Sequence, residues 1–278
     1  MAEPYEVLST LYDVAGWGSF AERMADRVLS LAAEHGLGEI RHVVDVACGT
    51  GIAAAEFAQT GYRVTGVDRS PHMLAQARKR IDELGLQGVT LVEADMRDLV
   101  LDEPADLVTC MYDSLNYLVR EDDLAAAFRC AAAALHDGGL YVFDMNTIFG
   151  LAELWGTCDQ IQCDTDDWFI VSRTRWDHER STNTLVFHGF IRRGRLPVVG
   201  AASLAVEPPV VSVAPLTVEP WERFRETHVQ RGYPVAKIRG LLEQVGLAVL
   251  AVYDARTDGL AEPGPETARV LVVARKPG

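Results

Sequence analysis

The segment Val43-Val44-Asp45-Val46-Ala47-Cys48-Gly49-Thr50-Gly51 decides the fold of this chain. Val43–Val46 has the apolar character of a buried strand, and it leads directly into a glycine turn and a helix over Gly51–Gln59. Glycines at such a turn allow backbone N–H groups and a helix N-terminus to approach the polar groups of a ligand. The spacing Gly49-x-Gly51-x-x-Ala54 also matches a dinucleotide fingerprint, so this segment alone leaves the ligand open.

Short apolar runs and helical stretches alternate on both sides of this segment, which predicts a parallel sheet with crossover helices. Further strands are predicted at Tyr62–Val67, Val89–Glu93, Asp106–Met111 and Leu140–Asp144, with helices from Ser70 to Leu84 and over Glu121–Leu135. Leu247–Tyr253 and Ala268–Ala274 are joined by a Gly/Pro-rich loop without room for a helix, so they must pair antiparallel. We therefore expect an α/β fold with a Rossmann-like seven-stranded sheet whose last strand is antiparallel.

The region after Asn146 has a different pattern. Trp168–Trp176 and Thr184–Ile191 alternate like antiparallel strands and predict an inserted β hairpin, while five prolines make Leu196–Pro220 a covering loop. The expected organisation is an N-terminal helical cap (1–40), a main domain (41–150 and 230–278) and an inserted antiparallel β and lid region (151–229). The hairpin carries more apolar residues than a free hairpin exposes, which predicts a lid or a homo-oligomer contact: Trp168, Ile170, Trp176, Phe187 and Phe190.

The composition favours a globular protein that acts on small molecules. Its 278 residues, 49% of them hydrophobic, suffice for one large domain with an insertion. The net charge of -14 repels a phosphate backbone, so we expect no nucleic acid partner. Without a basic n-region or an apolar stretch of about 18 residues, we expect a soluble cytoplasmic protein and no membrane partner. Five scattered cysteines predict neither a disulfide framework nor a metal site.

Three carboxylates end successive predicted strands. Asp45 can accept a hydrogen bond from an ammonium group, and Asp68 stands where a carboxylate can accept both ribose hydroxyls. Asp95, followed by Met96, stands where an adenine amino group would be met. Since parallel sheets bind ligands at the carboxyl ends of their strands, three acidic residues at that edge indicate one nucleoside-containing ligand rather than packing.

These residues resemble the successive motifs of the class I S-adenosylmethionine-dependent methyltransferases. The first family motif reads acidic-x-Gly-x-Gly-x-Gly, and this chain departs from it with Ala47 at the first glycine position. The resemblance implies S-adenosylmethionine as cofactor and S-adenosylhomocysteine as product. The implied cofactor-binding residues are Asp45, Ala47, Gly49 and Gly51 for the amino acid part, Asp68 for the ribose, Asp95 and Met96 for the adenine, Arg69 and Met73 flanking the adenosine, and Met111 beneath the sulfonium.

Two further segments resemble a subgroup that methylates small molecules, including glycine-type and nucleotide-sugar N-methyltransferases. They are Leu11-Tyr12-Asp13-x-x-x-Trp17, which implies that Tyr12 and Trp17 also cover the cofactor, and Tyr112-Asp113-Ser114-Leu115-Asn116-Tyr117-Leu118. The alternative to a role of the tyrosines in the site is ordinary packing, with a half-buried ring and a solvated hydroxyl. The predicted catalytic residues are Tyr12, Asn116, Tyr117 and His228, and the predicted substrate-binding residues are Tyr5, Asp144, Asn146 and Arg231.

The expected reaction transfers a methyl group to an amine, or to a hydroxyl, of a sugar or a specialised metabolite. A neutral amine needs no strong base, whereas a hydroxyl would need one, and His188 or His228 is the candidate. Five arginines near the hairpin could grip an anionic acceptor such as a nucleotide-linked sugar, although a charged arm of this kind is more often solvated or buried against another subunit: Arg173, Arg175, Arg192, Arg193 and Arg195.

Two other functions compete with methyl transfer. An NAD(P)-dependent oxidoreductase would share the glycine turn and Asp68, but it gives no account of Asp95-Met96. A catalytically inactive cofactor-binding protein of the same fold would keep all of these residues. The sequence leaves the acceptor, the methylated atom and the oligomeric state open.

Overall fold

The structure, a computed structural model, describes residues 5–192, 220–256 and 261–278. These residues form eleven strands: β1 (His42–Val46), β2 (Arg63–Asp68), β3 (Val89–Glu93), β4 (Ala105–Cys110), β5 (Leu135–Asn146), β6 (Asp159–Asp164), β7 (Trp168–Asp177), β8 (Thr182–Arg192), β9 (Trp221–Arg231), β10 (Ala248–Asp254) and β11 (Arg269–Arg275). The described helices are α1 (Leu8–Leu11), α2 (Ser19–Glu34), α3 (Ile52–Gln59), α4 (Pro71–Glu83), α5 (Glu121–Ala134) and α6 (Val235–Gln244).

Seven strands form the larger sheet, in the order β10-β11-β5-β4-β1-β2-β3. The pairs among β1 to β5 are parallel, whereas β11 pairs antiparallel with both β5 and β10. The predicted sheet and its antiparallel last strand are therefore confirmed. Helices α2 and α3 cover one face and α5 and α6 the other, which leaves every residue of β1 and β4 buried.

Local signals in the sequence explain where these elements begin and end. Ser70 caps α4, because its hydroxyl accepts the N–H of Met73 and Pro71 follows at the first helical position. Strand β5 begins at Leu135, five residues before the predicted start. Its register against β4 shifts after Leu135, and Gly138, with φ +86°, supplies the left-handed residue of this irregularity.

The second sheet is larger than the predicted hairpin. Strands β6, β7, β8 and β9 form a four-stranded antiparallel sheet, in which β7 and β8 are the predicted hairpin. The sequence analysis missed β6, since its Asp-Gln-Ile-Gln-Cys-Asp sequence is short and polar. Arg193 and Arg195, and the predicted covering loop up to residue 219, lie outside the described residues.

The inner face of this second sheet packs on the N-terminal segment. Ile170 and Phe187 are buried in a cluster with Leu8 and Leu11, so these hairpin residues are covered within the chain. Phe190, on the opposite face, is exposed. Two negative findings hold for the described ranges 5–192, 220–256 and 261–278. No helix there could span a membrane, and no group of three or more metal-ligating side chains converges.

Candidate functional site

The turn after β1 has the left-handed backbone that its glycines predict. Ala47, Gly49 and Gly51 all have positive φ, at 57°, 56° and 77°. For the non-glycine Ala47 this conformation costs about 1–2 kcal/mol. A Cβ on Gly51 would lie 2.9 Å from the Cβ of Ala77, so Gly51 serves the packing of α3 on α4. A Cβ on Gly49 would meet no described atom within 4 Å, so the space in front of Gly49 is open.

A cavity of about 490 Å³ opens in front of this turn, at the carboxyl ends of β1, β2 and β3. We call it the first cavity. The predicted site residues that line it are Tyr5, Tyr12, Ala47, Gly49, Asp68, Arg69, Met73, Asp95, Met96 and Tyr117. The strand order thus brings together residues that are far apart in the sequence.

Asp68 is oriented by the backbone around it. Its two carboxylate oxygens accept the N–H of Gly49 at 2.9 Å and the N–H of Ser70 at 2.8 Å. Burial raises the pKa of Asp68, and these two bonds partly oppose the shift. Each oxygen keeps a further lone pair, so the carboxylate can still accept hydrogen bonds from a pair of hydroxyls in the cavity.

The other two predicted carboxylates differ in their surroundings. Asp45 does not line the first cavity; it is buried behind the turn and accepts the hydroxyl of Thr109 at 2.8 Å. Burial raises the pKa of Asp45 to about 7, and the charge of Asp68 adds to the shift. Asp95 lines the cavity and bonds Arg97, whose guanidinium lowers the pKa of this carboxyl. Arg97 also lines the cavity, and the sequence analysis missed it.

A second cavity of about 330 Å³ meets the first at four tyrosines, which line both. These are Tyr5, Tyr12, Tyr112 and Tyr117, which we call the tyrosine junction. The hydroxyls of Tyr5 and Tyr117 lie 2.8 Å apart. Burial raises the pKa of Tyr112 to about 12 and those of the other three further, so all four phenols are neutral at pH 7. At this pH each phenol keeps its proton and can donate and accept hydrogen bonds.

The second cavity combines aromatic walls with mostly neutral polar groups and the carboxylate of Asp113. Its apolar wall is made of Leu8, Trp17, Leu154, Trp155, Leu185 and Phe187, and its polar groups include Gln160, Gln162, Ser172, Thr174 and Gln230. No lysine, arginine or histidine occurs among the described residues that line it. Trp17 was predicted to contact the cofactor but lines this cavity instead. The sequence analysis missed the glutamines, because β6 was not recognised.

A buried ion network supports the tyrosine junction from below. Tyr112 and Asp113 have positive φ, at 63° and 51°, and the carboxylate of Asp144 accepts both of their N–H groups. Arg269 on β11 pairs with Asp113 and with Asp144, at 2.6 Å each, and its guanidinium lies 4.6 Å from the ring centroid of Phe20. Asp144 was predicted to bind substrate, but it is fully buried beneath the loop and positions it.

Several other predicted site residues also lie outside both cavities. The amide of Asn116 is fully buried and bonds backbone groups of Asn146 and Arg231, and the Asn146 side chain bonds Gln230. The Arg231 side chain bonds Val119 and Glu121 at the start of α5. Met111 packs in the core near α2 and α3. These side chains are bonded or packed within the fold and line neither cavity, so their predicted roles in ligand contact stay predictions.

His228 adjoins the tyrosine junction without lining a cavity. It is buried on the inner face of β9, and its Nδ1 lies 3.1 Å from the hydroxyl of Tyr117. His188, the other predicted base, lies on the outer face of the same sheet beside Arg223. The outer face also carries Arg173, which pairs with Asp159, and Arg175, so these arginines point away from the second cavity.

Comparisons with known proteins agree with this geometry. A methyltransferase domain model matches residues 43–139. The methyltransferase YqeM of Bacillus subtilis is 28% identical over 87% of each chain. The dTDP-3-amino-3,6-dideoxy-alpha-D-glucopyranose N,N-dimethyltransferase of Streptomyces fradiae is 35% identical over 49% of this chain and 52% of its own.

Solved structures show the same fold. An S-adenosylmethionine-dependent methyltransferase from Clostridium acetobutylicum has a TM-score of 0.74 at 24% identity, and the alignment covers 91% of each chain. The sugar N-methyltransferase KedS8 from Streptoalloteichus has a TM-score of 0.71 at 21% identity, with 100% of this chain and 96% of that chain covered. The methyltransferase domain at residues 43–139, the seven-stranded sheet and the acidic cavity at the glycine turn make the chain similar to the class I S-adenosylmethionine-dependent methyltransferases.

Proposed function

We propose that this protein transfers the methyl group of S-adenosylmethionine to the amine of a sugar or a related specialised metabolite. The observation that carries the proposal is the meeting of two chemically different cavities at the tyrosine junction. In this proposal residues 41–150 and 230–278 bind the cofactor, residues 1–40 cap it, and the inserted region 151–229 helps to enclose the acceptor.

The residues of the first cavity fit the cofactor. Its volume of about 490 Å³ is within the range of small-molecule sites. The backbone at Ala47 and Gly49 receives the amino acid part, Asp68 accepts the ribose hydroxyls, and Asp95 with Met96 meets the adenine. Arg69 and Met73 flank the adenosine. When bound, the cofactor supplies a methyl group already activated by its sulfonium.

The second cavity fits an amino sugar. Flat apolar faces of a sugar ring can pack on Trp17 and Trp155, while the amides of Gln160 and Gln162 can bond ring hydroxyls. Relatives that methylate dTDP-amino sugars, from Streptomyces fradiae and Saccharopolyspora spinosa, support an amine as the methylated group.

The protein's own contribution to catalysis is alignment and water exclusion. The hydroxyls of Tyr12 and Tyr117 help to hold the acceptor amine at near-attack distance, and the tyrosine junction reduces the access of water to the reacting atoms. The amine releases one proton after methylation. His228, which faces Tyr117 at 3.1 Å, is the group that receives it.

The contacts of two residues argue against an oxidoreductase. Tyr233 and Lys237 have the Tyr-x-x-x-Lys spacing that assists hydride transfer in many dehydrogenases. However, the Tyr233 hydroxyl donates to the carbonyl of Leu118, and the Lys237 ammonium lies 2.9 Å from Glu121. Neither residue lines the first or the second cavity.

The proposal is tested with isotope-labelled S-adenosylmethionine and two acceptors, dTDP-3-amino-3,6-dideoxy-glucose and its 3-hydroxy counterpart. We expect a product that carries one or two labelled methyl groups from the amino sugar only, measured by mass spectrometry. Label on the hydroxy sugar alone would overturn the choice of an amine. Calorimetric binding of the cofactor without turnover on a broad acceptor panel would favour an inactive binding protein.

A further inference from the structure

Glu226 anchors the N-terminal segment that covers the tyrosine junction. Its carboxylate, on the inner face of β9, accepts the backbone N–H of Tyr5 at 2.7 Å and those of Val7 and Leu8 at 3.0 Å each. The side chain is completely buried. Burial raises its pKa, but the nearby imidazole of His228 and the bonds from the three amides outweigh this effect and leave the pKa below its ordinary value. Glu226 is therefore a charged acceptor at neutral pH.

The same carboxylate faces His228, and this contact decides which ring nitrogen carries the proton. Nε2 of His228 lies 3.5 Å from Oε2 of Glu226, while Nδ1 lies 3.1 Å from the hydroxyl of Tyr117. A carboxylate only accepts hydrogen bonds, so the proton of a neutral imidazole belongs on Nε2. Nδ1 then accepts a hydrogen bond, and Tyr117 must donate it.

The direction of donation continues to the junction. Because the proton of Tyr117 points to His228, the Tyr117 oxygen accepts from Tyr5, whose hydroxyl lies 2.8 Å away. The lone pairs of the Tyr5 oxygen are then free for a donor within the cavities that Tyr5 lines. An amine acceptor offers such a donor, since its N–H can bond Tyr5 while its own lone pair stays available for the methyl group.

We infer that Glu226 is a positioning residue for methyl transfer, which holds Tyr5–Leu8 over the junction and, through His228 and Tyr117, makes Tyr5 a hydrogen-bond acceptor for the amine. This inference rests on the proposed function. In the reaction the amine nitrogen forms a bond to the methyl carbon as the carbon–sulfur bond breaks, with its electron pair passing to sulfur. The proton lost from nitrogen passes through Tyr5 and Tyr117 to Nδ1 of His228, and the carboxylate of Glu226 stabilises the imidazolium.

The first test needs no acceptor. In Glu226→Gln the amide nitrogen replaces one accepting oxygen, so we expect hydrogen exchange at residues 5–8, measured by mass spectrometry, to become at least about tenfold faster. His228→Gln leaves the carboxylate in place and is expected to leave that exchange unchanged. In the wild type, nitrogen NMR of the His228 ring should show the proton on Nε2. Unchanged exchange in Glu226→Gln, or a proton on Nδ1, would overturn the inference.

The second test measures turnover of dTDP-3-amino-3,6-dideoxy-glucose. Both variants should lower kcat at least about tenfold with a smaller change in KM, because the amine loses its oriented partner rather than its cavity. Glu243→Gln, at an exposed position on α6, is the matched control and should match the wild type. An unchanged kcat in Glu226→Gln would also overturn the inference. If the wild type itself left this sugar unmethylated, the choice of acceptor would fail while the exchange and NMR results still decided the role of Glu226.

Discussion

The two cavities that meet at the tyrosine junction differ in how the chain builds them. The first is formed by short segments at the ends of β1, β2 and β3, and it contains carboxylates and arginines. The second draws on the N-terminal segment, the loop after β4, the helical segment Gly150–Trp155 and strands β6, β7, β8 and β9, and its polar groups are mostly neutral amides and hydroxyls. In the proposed assignment the cofactor side is therefore built mainly by the large sheet, whereas the acceptor side combines the insertion with the N-terminal segment and the loop after β4.

The largest expected effect is on the cofactor side. Asp68→Ala removes the carboxylate that we assign to two ribose hydroxyls, so the affinity for S-adenosylhomocysteine should fall by about 1,000-fold in calorimetry. Asp82→Ala, at an exposed position on α4, is the matched control and should bind like the wild type. A wild-type affinity in a folded Asp68→Ala protein would refute the ribose assignment.

A pH experiment on Asp45 sharpens the contrast, because this carboxyl is buried behind the turn at the first cavity and its pKa is raised. In the folded protein the pKa of Asp45 is about 7, above its ordinary value near 4. Between about pH 4 and 7 the carboxyl is therefore deprotonated in the unfolded state but still protonated in the folded state. The stabilisation that protonated Asp45 contributes to the free energy of unfolding is complete below about pH 4 and is lost as the pH rises through about 7. Asp45→Asn should therefore be more stable than the wild type at pH 8, by about 3 kcal/mol in urea unfolding, and a constant difference from pH 4 to 8 would contradict the assignment.

Gln162→Ala tests the acceptor side alone. Gln162 lines the second cavity, where its amide bonds Ser172 at 2.8 Å. Loss of one hydrogen bond to a sugar hydroxyl should raise KM for the amino sugar about tenfold and leave cofactor affinity unchanged. The matched control is Gln244→Ala, at an exposed site at the end of α6. A fall in cofactor affinity in Gln162→Ala would show that the two cavities are not separable.

The smallest effect is expected at Ala47. Ala47→Gly restores the glycine of the family motif at a position with φ +57° and relieves left-handed strain. Thermal or urea unfolding should show a gain of about 1 kcal/mol, with cofactor affinity unchanged. Lower stability in this variant would mean that the alanine methyl packs favourably enough to compensate for the backbone strain.

The same contrast explains what could be predicted from the sequence. Asp68 and Asp95 could be placed because each follows a strand whose apolar run is clear, and the strand ends of a parallel sheet share one edge. The second cavity could not be predicted from the sequence, since its glutamines lie on the polar strand β6, which lacks a recognisable β pattern. Asp144 could be assigned to the correct end of β5 but not to its correct partners, because Arg269 lies 125 residues further along the chain.

The shared wall of the two cavities has a thermodynamic consequence. The rings of the tyrosine junction line both cavities. If the occupant of one cavity moves a ring, the lining of the other cavity therefore changes as well. Linkage then requires the factor by which the nucleoside strengthens sugar binding to equal the factor by which the sugar strengthens nucleoside binding. The four aromatic rings are therefore the place where any coupling between the two occupants would arise.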